Sequence, residues 1–207
     1  MEISMNDLVK RVKTNMEELL DVREVDVIMS VGIDIEEYIQ AKIPDAILAV
    51  WSTEPVWSLP LSECQSTLVP EPRPDGSGRV ILPDDVWQMV YFCMEGWKRP
   101  VTEFIDISSP KYELQLNPYT RGSVSSPVCV LSNEGGQKYI DYYSLPRNEK
   151  AHRVSSARYV AYPNKETSTY ELLPHLIPAV CYTCAAMVYE IIGRPEQAAA
   201  MLRSIVR

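Results

Sequence analysis

Apolar residues recur at helical spacing at both ends of this 207-residue chain and at strand spacing in its middle. Near the start, Met5, Leu8, Val9, Val12, Met16, Leu19 and Leu20 share one face of a helix over 5–20. A second helix opens at Asp34, where Glu37 stands three residues on as in a capping box. Its apolar stripe is Ile35, Ile39, Ile43, Ile47, Val50 and Trp51, and Pro44 inside it is expected to kink or restart it. The segment between these helices, DVREVDVIMSVG, fits neither period. Helical spacing returns after Tyr170 through Leu173, Leu176, Ile177, Val180, Cys184, Met187, Val188 and Ile191. Gly193 suits the end of that helix, and Pro195 suits the first turn of another that carries Ala198, Met201, Leu202 and Ile205.

The middle reads differently. Residues 52–78 form a connection whose VPEPRPDGSG portion is rich in Pro and Gly and is expected to be exposed and mobile. Strands are expected over 79–82, 86–95, 127–132, 137–144 and 157–162, with NEGG as a hairpin turn between two of them. A short helix opens at Ser109-Pro110 and stops before Pro118. The expected fold is therefore α+β. Terminal helices (1–54 and 170–207) form a helical bundle, and a β-rich insertion (55–169) folds as a small antiparallel sheet or barrel. Such a sheet has an edge, and an edge is a pairing surface.

Charge narrows the function. The formal net charge is −8, and residues 1–54 hold twelve Asp and Glu against five Lys and Arg. Counterion-release binding to nucleic acid needs a basic footprint, which the totals lack. No apolar run reaches the length of a membrane span, so no membrane partner is expected. The opening MEISMNDLVKRVK has no apolar core of the secretory kind. Five cysteines, an odd number, favour free thiols and synthesis inside the cell.

Catalytic and metal chemistry find little footing. Cys181 and Cys184 form a C-x-x-C with His175 six residues before, but both cysteines lie inside an apolar helix and Cys184 falls on its core stripe. Core packing therefore outweighs a metal site. His152 sits in the polar stretch NEKAHRVSS, where a solvated histidine is commoner than a base. Asp84 and Asp85 could act as a carboxylate pair, yet LPDD is an ordinary turn signal. Nucleophile-elbow, P-loop and dinucleotide-binding patterns do not occur. The chain is read as a non-enzyme without a cofactor.

Interaction residues are more promising. Over 86–95, strict alternation places Val86, Gln88, Val90, Phe92 and Met94 on one face and Trp87, Met89, Tyr91, Cys93 and Glu95 on the other. Both faces are too apolar for water, so a neighbouring subunit or the helical part is expected to cover one of them. Trp97, Lys98 and Arg99 follow at the strand's end. Basic residues at Lys138, Arg147, Lys150, Arg153 and Arg158 interleave with Tyr139, Tyr142, Tyr143 and Tyr159. That mixture suits a single-stranded nucleic acid or a protein interface, and the acidic chain favours the interface. The interface candidates are Trp87, Tyr91, Trp97, Lys98, Arg99, Arg121, Tyr142, Tyr143, Arg153 and Arg158.

The phrases GSGRVILPDDVWQMVYFCMEGWKRPV, SPKYELQLNPYTRG and PVCVL resemble the virion neck proteins of crAss-like phages and related prophages of Bacteroidetes. DIEEYIQAKIPDAILAV (34–50) and the C-terminal helix pair extend the resemblance. It implies a ring protein, of twelve subunits, that acts as a head-to-tail connector. Its partners would be its own copies, the portal and the next neck or tail protein. DNA would pass through the lumen without specific binding. The resemblance further implies a place in the virion neck after synthesis in the bacterial host cytoplasm, and it supplies no catalytic residues. Two other readings stay open from the residues alone. One is an interaction module of another bacterial machine that uses a sheet edge. The other is a small metal protein built on Cys181, Cys184 and His175.

Overall fold

A computed structural model of the protein describes residues 1–17, 35–145, 152–164 and 167–205. The fold is mixed α+β, with five α-helices and ten strands in three sheets among the described residues. The sheets close no barrel among the described residues. The chain divides into two compact units, one drawn from Met1–Pro60 and Pro163–Arg207 and the other from Leu61–Tyr162. Both the DVREVDVIMSVG segment and the capping box at Asp34 lie outside the described residues.

In the first unit, β1 (Glu2–Ser4) leads directly into α1 (Met5–Glu17). The Ser4 hydroxyl accepts the Asp7 N–H at 3.1 Å, capping the first turn. Leu8, Val9, Val12 and Met16 are its buried face; Leu19 and Leu20 lie outside the described residues. The second helix, α2 (Ile35–Trp51), runs through Pro44 as one helix rather than restarting there. Pro44 is itself buried, as are Ile43, Ala46 and Ile47 around it. Packing on both sides of the proline thus outweighs the lost backbone donor.

Two more helices belong to this unit, α4 (Leu176–Ile191) and α5 (Pro195–Ile205). Helix α4 packs against α1, α2 and α5. That explains why its burial spreads far beyond one stripe, to Cys181, Thr183, Ala185, Ala186 and Tyr189. The Tyr189 hydroxyl donates to the Met16 carbonyl at 2.8 Å, tying α4 to the end of α1. At the C-terminus of α4 the Gly193 and Arg194 N–H groups return to the carbonyls of Glu190 and Tyr189, a Schellman closure. In α5, Ala198 and Met201 are buried, whereas Leu202 and Ile205 are exposed. β10 (Thr169–Glu171) pairs antiparallel with β1, with Ile3 opposite Tyr170.

The second unit is a pair of sheets around one core. The three-stranded sheet has the order β2 (Ser62–Glu63), β9 (Val154–Ala161), β5 (Val86–Met94). The five-stranded sheet runs β3 (Pro70–Pro72), β4 (Gly78–Ile81), β8 (Gln137–Tyr142), β7 (Cys129–Glu134), β6 (Ile105–Asp106). Val80, Leu82, Ile140 and Tyr142 from the larger sheet meet Met89, Phe92, Met94 and Ala157 from the smaller one. The short helix expected at Ser109-Pro110 is α3 (Pro110–Leu116), capped by the Ser109 hydroxyl, which accepts the Lys111 N–H at 3.3 Å. β7 and β8 form the hairpin expected at NEGG. Gly135 and Gly136 hold φ of 62° and 91°, values that glycine adopts without steric cost and that a two-residue hairpin turn requires.

The connection over 69–78 is not a loose loop. Pro70–Pro72 pairs with Gly78–Val80 as a hairpin, and Gly76, Ser77 and Gly78 at its turn are buried. Gly78 is required by close approach, because a Cβ there would lie 2.1 Å from the Tyr142 hydroxyl and 2.7 Å from the Glu71 carbonyl. Gly78→Ala should therefore cost about 2–3 kcal/mol through overpacking. Tyr142→Phe in the same chain should return part of that loss in equilibrium urea unfolding. A Gly78→Ala chain with the parental midpoint would contradict the close packing.

Candidate interaction site

Strand β5 is where the sequence concentrates its apolar surface, and its geometry departs from plain alternation. Its pairing with β9 shifts register between Val86 and Gln88, between Met89 and Tyr91, and between Cys93 and Met94. Val86, Met89, Phe92 and Met94 stand opposite Ala161, Tyr159, Ala157 and Val154. The inward positions on β5 thus advance in steps of three, three and two. The first two shifts place an extra residue in β5 and change its inward phase, whereas the third places the extra residue in β9 and leaves that phase unchanged. Gln88 and Val90, expected to share a face with Val86, do not join it: Gln88 is exposed and Val90 half-buried, while Met89 is buried. The strand needs apolar residues in both phases because the inward phase changes along it. That accounts for much of the two-faced pattern without a partner.

What remains uncovered is an edge. β9 lies on one side of β5. On the other side the described contact is a single bridge, in which Phe92 and Val101 exchange N–H···O bonds of 3.0 and 2.8 Å. Beside the Val86–Met89 half lies an open groove of about 450 Å3, lined by Leu82, Trp87, Met89, Phe104 and Leu131 among others. Lys138 guards it: its ammonium sits 4.9 Å from the Tyr162 ring centroid and donates to the Val86 carbonyl.

The ten interface candidates fall into three groups. Trp97, Tyr142 and Tyr143 are buried within the chain and are core residues, not surface anchors. Trp97 packs edge-on against Phe92, with centroids 5.9 Å apart and planes at 72°. The Tyr142 hydroxyl meets His152 Nδ1 at 2.6 Å, and burial pushes its phenol up. Burial also pushes Tyr143 up to about 12. A second group is tied into local structure. Arg121 donates to Asp75 Oδ2 at 2.8 Å and pins the 69–78 hairpin. Although burial alone would raise the Asp75 carboxyl, bonds from Ser77 and Arg121 hold it at about 2. Arg99 donates to the Ser126 hydroxyl at 2.6 Å, and Arg158 pairs with Glu63 at 3.1 Å. Of the remaining four, Trp87 and Tyr91 are half-buried on β5, and Lys98 and Arg153 are exposed, as are Arg99 and Arg158. Of the neighbouring basic cluster, Arg147 and Lys150 lie outside the described residues.

The chemical candidates occupy structural positions. Asp84 and Asp85 form the turn closed by the Val86 N–H on the Pro83 carbonyl at 3.2 Å. Asp85 accepts the Tyr159 hydroxyl at 3.0 Å. His152, expected as solvated, is half-buried against Tyr142. Cys181 and Cys184 are buried in α4, while His175 is exposed at its start. Burial pushes the two thiols up to about 11 and about 12, far from the thiolate form that binds metal or attacks a substrate. Among the described residues no group of three His, Cys, Asp or Glu side chains could hold a metal ion. No described helix is long and apolar enough to cross a membrane.

The most developed polar network is one that sequence reasoning missed. Asp141 is buried on the five-stranded sheet and takes two bonds from Arg79, at 2.8 and 3.0 Å, and one from Ser132 at 3.1 Å. Arg79 also grips Glu134 with both terminal nitrogens and lies 4.6 Å from the Tyr139 ring centroid. Its cross-strand partner in the register is Asp141 itself, so the signal was available once the β4–β8 pairing was known. With its guanidinium committed to two carboxylates, Arg79 is a strut of the sheet. The described site is therefore an open strand edge with an adjoining apolar groove. No protein-family model and no curated protein sequence matches the chain.

Proposed function

We propose that the protein is a non-enzymatic, ring-forming head-to-tail connector of a phage virion, docking between portal and tail. The observation that supports this reading is the open β5 edge with its adjoining groove, which lies within the 76–132 stretch that resembles the neck proteins and which would serve as an assembly surface. In this reading the terminal helices serve as a bundle and the β-rich unit as its insertion. The acidic N-terminal segment suits a lumen through which DNA passes, because like charge discourages phosphate from sticking. Partners would be further copies in a ring, the portal, and the next neck or tail protein. The same edge would also suit a monomeric module that captures an extended peptide by strand addition.

Sedimentation velocity of the purified chain, alone and with a portal ring, separates the two. A connector should run as one oligomer of fixed size or bind the portal at a fixed high stoichiometry. A monomer that ignores the portal and binds an extended peptide one-to-one would favour the module.

A further inference from the structure

We draw no further inference here: the strongest candidate, the apolar groove beside the open β5 edge that Trp87, Met89, Phe104 and Leu131 help to line, belongs to the site already described, and nothing in the structure shows what covers it.

Discussion

Val180→Asp is expected to unfold the helical unit. Val180 is fully buried on α4, the helix that packs against α1, α2 and α5. An aspartate there would carry an unpaired charge, or a strained neutral carboxyl, into an apolar site, at a cost of roughly 4 kcal/mol or more. That is a large share of the stability of any single unit. The helical far-UV signal should be lost at much lower urea than in the parent. Val180→Ala should lose far less, because it leaves only a small cavity. A Val180→Asp chain that melts like the parent would mean that α4 is not the centre of this unit.

Arg79→Met carries the second large effect. It removes the guanidinium that satisfies Asp141 and leaves a carboxylate whose side chain is only 7% accessible. Ser132 and the more distant Arg73, at 3.4 Å, remain as partners. Breaking one side of a buried pair costs about 3 kcal/mol or more, chiefly the penalty for the charge left behind. The hydrogen bonds that Arg79 donates to Asp141 and then to Glu134 push its guanidinium pKa up, so Arg79 stays charged. Two controls locate the effect. Replacing both partners, Arg79→Met with Asp141→Leu, should recover much of the loss. Glu134→Gln should leave the urea midpoint near the parent's, since that carboxylate is exposed. An Arg79→Met chain as stable as the parent would show that Asp141 is not held by Arg79.

The contrast between these two residues shows what the sequence makes legible. Val180 announces itself through helical spacing, and so do the hairpin at Gly135-Gly136 and the short helix capped by Ser109, because each depends on neighbours in the chain. Arg79 and Asp141 lie on different strands, and nothing local marks them as partners. The same limit explains why β1, β2, β3, β6 and β10 are missed: each is two or three residues long, too short for a period, and exists because a partner strand lies beside it. Pro44 misleads for a related reason, since its cost is local whereas the packing that offsets it comes from elsewhere in the unit.

Strand β5 is the most instructive case. Its composition correctly marks an unusual element, but strict alternation assigns its faces wrongly because bulges change the phase. Trp97 then reads as a surface anchor from its residue type and its place beside Lys98 and Arg99, although its ring belongs to the core under Phe92.

Assembly is tested most directly by class-averaged negative-stain images of the purified chain, alone and mixed with portal rings. If the chain builds a connector, end-on views should show closed rings of one rotational symmetry, and side views should show those rings seated on the portal. A field of single small particles in both samples, with portal rings left bare, would contradict it.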